Sequence, residues 1–324
     1  MGKNIVICCD GTGNEYGDRN TNVVKLFGII EKDPEKQIAY YDPGVGTFST
    51  PGAWTKLAKW FTKLMGLAFA YGINTNIEDA YRYLMDKYEE GDRVFLFGFS
   101  RGAFTARALA GMLHKVGLLE KGSYNLIPYA IRMYRGGESK IAAGFKATFS
   151  RECKTYFVGV WDTVKSVGLI IPRKFPNAKL NEDVSFGYHA IAIDEKRSKF
   201  RPNLWDPPTT PEQKIEQIWF AGVHSDVGGS YPEDGLSNIA LKWMLDKARE
   251  CELKINEQKY HEIKTDHTDK LHNSLWPYWW ILGWWRRKIE RGAWIHESVY
   301  KRIDDVKGYN PKNLPPKDQI KVVN

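Results

Sequence analysis

The chain has 324 residues, 43% of them hydrophobic, and a formal net charge of +8. That is apolar material for one large α/β core or two smaller ones, and it excludes a disordered or fibrous polypeptide. Basic residues are spread along the chain and mixed with acids, which disfavours a dedicated nucleic-acid groove, and four scattered cysteines give neither a disulfide framework nor a thiolate metal site.

The first element, Asn4 to Cys9, is an apolar run that reads as a buried parallel strand and breaks into Asp10-Gly11-Thr12-Gly13-Asn14. It starts so close to Met1 that no cleavable signal peptide is expected. No later run reaches membrane-spanning length, so a cytoplasmic protein is expected. Asn20-Thr21-Asn22 offers an N-cap, and Val23, Phe27 and Ile30 follow at helical spacing. Gln37 to Tyr41 is a second strand. Pro51 to Tyr71 then carries Trp54, Leu57, Trp60, Phe61, Leu64 and Met65 on one face and Lys56, Lys59 and Lys63 elsewhere. Such a basic amphipathic helix either packs on the core or forms a lid or membrane contact. Ile73, Ile77, Ala80, Tyr81, Leu84 and Tyr88 mark a further helix that closes at Gly91.

Val94 to Phe99 is a strand that runs into Gly98-Phe99-Ser100-Arg101-Gly102, followed by an Ala-rich helix to Lys115. A Gly-x-Ser-x-Gly at a strand-to-helix junction holds the serine in a sharp turn with its hydroxyl exposed, which marks Ser100 as the candidate nucleophile. After a loop, Thr155 to Trp161 is another buried strand, ending in Asp162. Ser185 to Ala192 reads as a short helix, Ile215 to Val223 as a strand ending in His224-Ser225-Asp226-Val227-Gly228-Gly229, and Ser237 to Ala248 as a helix. The remainder is less regular. Leu275 to Trp285 packs in five tryptophans and a tyrosine before Arg286-Arg287-Lys288.

This alternation predicts a single α/β domain over 1–324, α/β-hydrolase-like, with a mostly parallel sheet, helices on both faces, and helical lid or insertion segments at 51–71 and 265–295. Right-handed crossovers put the strand ends on one edge, where distant residues can converge. A serine hydroxyl needs an imidazole as base, itself fixed by a carboxylate. Chain order in this fold is nucleophile, acid, histidine, and Ser100, Asp162 and His224 satisfy it. His296 is the rival base, and Asp226 the acid that would go with it. The expected oxyanion donors are the Arg101 amide and the loop at Gly11 and Thr12. No histidine or carboxylate cluster has ligand spacing, so no metal and no cofactor are expected.

The blocks Cys9-Asp10-Gly11-Thr12-Gly13-Asn14, Gly44-x-Gly46-Thr47, Gly98 to Arg107, Val160-Trp161-Asp162-Thr163-Val164 and Gly222 to Gly229 resemble the uncharacterised α/β-hydrolase domain family that includes type VI secretion phospholipase effectors. The resemblance implies a serine esterase acting on lipid, phospholipase A-like in the effector members, with the triad on Ser100, Asp162 and His224. It also brings in a cognate immunity or delivery protein as partner, and export by a non-Sec route. An acyl lipid or membrane surface is the expected partner, since tryptophans favour the headgroup boundary and Lys and Arg attract anionic lipids. Nucleic acid is not expected. A soluble small-substrate esterase or thioesterase, and a catalytically silent binding module, are the alternatives.

Overall fold

The computed structural model describes residues 2–11, 17–44, 75–136, 138–164, 180–275 and 283–324. The expected helix at 51–71 lies outside the described residues.

Eight strands form one sheet: β1 (Asn4–Cys9), β2 (Gln37–Asp42), β3 (Arg93–Phe99), β6 (Thr155–Trp161), β7 (Phe186–Ala192), β8 (Lys214–Phe220), β9 (Trp294–His296) and β10 (Lys321–Val323). Their order across the sheet is β10-β9-β8-β7-β6-β3-β1-β2, and every pairing is parallel. A short antiparallel pair, β4 (Leu118–Leu119) with β5 (Ser150–Arg151), stands apart. From β1 the chain passes through helix α1 (Asn22–Ile29) to β2 on one side. It returns through a second helix over residues 75–87 to β3 on the other. The carboxyl ends of β1 and β3 therefore flank the switch point, the place where open parallel sheets leave a crevice.

Both faces of the sheet are covered. Ile5 and Ile7 of β1 with Val94 and Leu96 of β3 face a core shared with α3 (Arg101–Val116), whereas Val6, Cys8, Phe95 and Phe97 face a second core under α1 and α7 (Gly235–Glu250). Strands buried on both sides read as continuous apolar runs. That is why β1, β3 and β6 are legible in the sequence, and it gives the α/β-hydrolase-like arrangement of parallel sheet and flanking helices.

Three stretches differ from the sequence reading. Ser185 to Ala192 is not a helix: Phe186–Ala192 is a central strand with every residue from Gly187 onward buried. Tyr188, Ala190 and Ala192 enter one core and Ile191 another, so no polar alternation separates strand from helix. The expected loop after α3 holds helices α4 (Ile127–Gly136) and α5 (Ser139–Phe149). Segment 265–295, expected to be helical, has no helix among its described residues. Those described residues are irregular chain that enters β9, and α9 (Glu297–Asp305) follows.

Candidate active site

The turn between β3 and α3 has unusual backbone geometry. Ser100 sits at φ 56°, ψ −112°, a conformation costly for a residue with a Cβ. Its amide makes the last ladder bond to Trp161 O at 3.1 Å, after which the chain turns at once into α3. The flanking glycines permit this. A Cβ on Gly98 would lie 2.4 Å from Gly102 O, and one on Gly102 would lie 2.0 Å from Cys9 O. Strand, helix and the end of β1 thus meet at backbone contact, which presents Ser100 at the switch point.

Asp162 follows the neighbouring strand β6 and is itself in the left-handed region, φ 41°. The residue is fully buried. Its Oδ1 accepts from Ala192 N at 3.0 Å and from Arg287 Nη1 at 2.5 Å, and its Oδ2 accepts from Arg287 Nη2 at 2.9 Å and meets His224 Nδ1 at 2.6 Å. Burial by itself would raise the carboxyl, but the Arg287 charge and the bonds from His224 and Arg287 outweigh it and hold Asp162 well below the carboxylate range.

His224 opens the short helix α6 (His224–Gly228) after β8. Its ring is packed against Phe99, the residue before Ser100, with centroids 4.7 Å apart, and against Phe200 at 5.0 Å. Burial lowers the imidazole's proton affinity more than Asp162 raises it, so the ring is held neutral around pH 7. The first amide of α6 donates to Glu195 Oε2 at 3.2 Å. Glu195 is buried and takes three further bonds from Arg197 and one from Ser274. Ser100, Asp162 and His224 therefore occupy one corner of the sheet edge. The carboxylate–imidazole contact is made, whereas no hydrogen bond joins Ser100 to His224 among the described residues. Such contacts are often long until substrate is bound.

The other predicted positions are placed differently. Asp226 and His296 are not brought together. Asp226 bonds the Val223 amide at 3.0 Å and His272 Nδ1 at 2.6 Å, while His296 Nδ1 meets Ser298 Oγ at 2.8 Å and its ring stacks on Phe220. The Gly11 amide donates to Asp10 Oδ1 at 2.6 Å, so it is committed to the loop's own carboxylate. Asp10 also accepts from Thr21 and Tyr41, which fixes the end of β1. Thr12 lies outside the described residues. Arg101 is the first residue of α3, where an amide faces outward along the helix axis. Among the described residues no group of three or more His, Cys, Asp or Glu could hold a metal ion.

Arg287, Glu195 and His272 were not singled out by their sequence context. Arg287 sits in the run Arg286-Arg287-Lys288, which reads as a solvated charge patch, yet its side chain is 1% exposed while Arg286 and Lys288 point outward. Glu195 had a findable signal: it stands two residues after the buried run to Ile193, as Asp162 stands directly after the run to Trp161. Taking 185–192 as a helix hid that position.

A parallel sheet covered on both faces, with a serine in a tight strand-to-helix turn at its switch point, defines an α/β-hydrolase-like protein. The chain belongs to the family described as the type VI secretion phospholipase effector Tle1-like catalytic domain, whose model matches residues 3–247. It is 38% identical over 226 residues to the uncharacterized protein YEL023C of Saccharomyces cerevisiae, covering 64% of this chain and 33% of that protein. Among solved structures it is similar to an uncharacterized protein from Pseudomonas aeruginosa (TM-score 0.45, 18% identity, 82% of this chain and 49% of that one). It is also similar to the Tle1 effector in a structure with the VgrG spike of the type 6 secretion system (TM-score 0.40, 19% identity, 72% of this chain and 52% of that one). The chain thus spans about a third to a half of the length of these relatives.

Proposed function

We propose that this chain is a serine carboxylic-ester hydrolase of the lipase or phospholipase type, working through an acyl-enzyme on Ser100. The observation that carries this reading is the 2.6 Å contact between His224 Nδ1 and Asp162 Oδ2 in the same sheet corner as the strained Ser100 turn. With Nδ1 donating to Asp162, the neutral ring presents Nε2 as an acceptor. Ser100 Oγ attacks the acyl carbonyl carbon as its proton passes to Nε2, and the Arg101 amide is the proposed donor to the carbonyl oxygen as it becomes an oxyanion. Collapse breaks the ester C–O bond, and the imidazolium returns the proton to the departing alcohol. Water then repeats the sequence on the acyl-enzyme, releasing a fatty acid and restoring Ser100.

An acyl lipid is the substrate class favoured by the family description. Exposed Trp284, half accessible, and exposed Arg286 near the site suit an anionic lipid surface. Among the described residues no helix is long and apolar enough to cross a membrane. The same family description makes a delivery partner and a non-Sec route part of this proposal.

A fluorophosphonate should label wild type and fail to label Ser100→Ala, and mass spectrometry of a lipid extract should show fatty acid and lysolipid only with wild type. An unlabelled wild-type protein overturns the serine mechanism. Preference for acetyl over long-chain p-nitrophenyl esters overturns the lipid substrate and leaves a small-substrate esterase.

A further inference from the structure

Asp162 has an unusual partner for the acid of such a site: a buried guanidinium that grips both of its oxygens. Arg287 Nη1 bonds Oδ1 at 2.5 Å and Nη2 bonds Oδ2 at 2.9 Å, a fork-to-fork pairing that fixes the carboxylate in plane as well as in place. The same two nitrogens donate to the carbonyls of Ala192 at 2.8 Å and Phe200 at 2.7 Å. Arg287 is therefore itself held, by the end of β7 and by the segment that packs Phe200 on the His224 ring. It lies 125 residues after Asp162 and beyond residue 247, where the family match ends.

Resting on the hydrolase reading above, we infer that Arg287 is a positioning residue for catalysis, supplied by the segment after the family-matched region, which aims Asp162 Oδ2 at His224 Nδ1 and balances its buried charge. The alternative roles of a buried arginine fit less well. A purely structural plug would not need both carboxylate oxygens, and a substrate-binding arginine would not spend its terminal nitrogens on four protein acceptors.

The clamp has a consequence for proton uptake that simple stabilisation lacks. Arg287 and His224 bind the same oxygen, Oδ2, so a cation on one opposes a cation on the other. Among the described residues, the other charged groups acting on the imidazole are Asp162 itself, Glu195 and Arg197, and the rings of Phe99 and Phe200 pack against it. Removing Arg287 leaves the Asp162–His224 pair with a net negative charge to attract a proton. The pair then protonates at higher pH.

The test is the pH dependence of fluorophosphonate labelling, measured for wild type, Arg287→Met, Arg287→Lys, Asp162→Asn and the double variant Asp162→Asn/Arg287→Met. Arg287→Met should label roughly 100-fold more slowly at neutral pH, with its acid limb moved up by about one pH unit or more. Arg287→Lys keeps the charge without the fork, so it should slow labelling severalfold with the limb near its wild-type position. The double variant should label no more slowly than Asp162→Asn alone, because Arg287 acts through the carboxylate. A wild-type pH profile in Arg287→Met, or losses that multiply in the double variant, overturns the inference. Should Arg287→Met not fold, a wild-type labelling rate in Arg287→Lys overturns it instead. NMR titration of the His224 ring separates this from the hydrolase reading. If wild type resists the fluorophosphonate, that reading fails, while an upward move of the imidazole titration in Arg287→Met still supports the clamp and an unmoved one refutes it.

Discussion

Two glycine-to-alanine changes in helices should move stability in opposite directions, and the structure fixes both signs. Gly102, in the first turn of α3, would put a Cβ 2.0 Å from Cys9 O, 2.4 Å from Cys9 C and 2.6 Å from Asp10 O. All three are backbone atoms, so no side chain can swing aside. Restoring ordinary contact near 3.4 Å requires the start of α3 to move off β1 by about 1 Å or more. Overpacking of this kind costs about 3 kcal/mol, and for a chain of this size that lowers the melting midpoint by about 4 °C. The displaced turn carries Ser100 and the Arg101 amide, and a misplacement of about 1 Å costs roughly 100-fold in rate. Gly144 is exposed in the middle of α5, where a Cβ meets nothing within 4 Å. Gly144→Ala removes backbone freedom from the unfolded chain and should stabilise by about 0.5–1 kcal/mol with labelling unchanged. Thermal melts and fluorophosphonate labelling of both variants below either midpoint read the pair. A Gly102→Ala protein that melts within about 1 °C of wild type and labels at the wild-type rate would refute the close-approach argument.

His224→Ala should reduce ester hydrolysis roughly 10⁴-fold while His296→Ala stays within a few fold of wild type; the reverse pattern would move the base to the β9 end. Burial lowers the His224 imidazole, so wild-type kcat/KM should rise through an acid limb that lies below the ordinary imidazole value of 6.5, and a limb above it would contradict the packed, neutral ring. His189, fully buried in β7 and accepting from Thr163 N at 3.2 Å, is pushed down to about 3 by burial first and by the Arg107 charge. The unfolded chain takes up this proton near 6.5 and the folded chain does not, so stability is lost as pH falls from about 6.5 toward 3, by roughly 1.4 kcal/mol per unit. His189→Gln should flatten that part of a denaturation-midpoint profile, and an equally steep profile would place the titration elsewhere.

What the sequence disclosed follows from how local each signal was. The strand β3 and the turn at Ser100 lie within a dozen residues, and their chemistry is written in contiguous apolar residues and two glycines. Asp162 and His224 were readable because each directly follows a buried run. The switch point makes chain position into spatial proximity. Arg287 had no such marker: its neighbours Arg286 and Lys288 face outward, and only the three-dimensional path turns the middle residue of the run inward. Nor did β7 announce itself, because burial on both faces erases the period that tells strand from helix, and with it went the position of Glu195. The Gly11 amide, expected to face substrate, is taken up by the Asp10 side chain one residue before it, a competition that composition alone does not reveal.

Burial keeps the His224 imidazole neutral in the ground state, and the charges around it do not reverse that. Asp162 and Glu195 are carboxylates that act on the His224 ring, and Arg287 and Arg197 are paired with them, so these four charges balance before any substrate arrives. Glu195 is held down to about 2, burial being outweighed chiefly by its bonds and charge contact with Arg197, and so it stays ionised across the working range. Protonating His224 in that setting adds an uncompensated cation to a desolvated pocket, which is unfavourable at rest. In the mechanism proposed above, attack by Ser100 forms the positive charge on the imidazole together with a negative charge on the acyl oxygen. The site then gains a new ion pair instead of a lone charge, and Asp162 at 2.6 Å is already oriented to stabilise its cationic half. The arrangement disfavours the imidazolium in the ground state and favours it in the transition state, so the two arginines matter to the rate through the difference between those states.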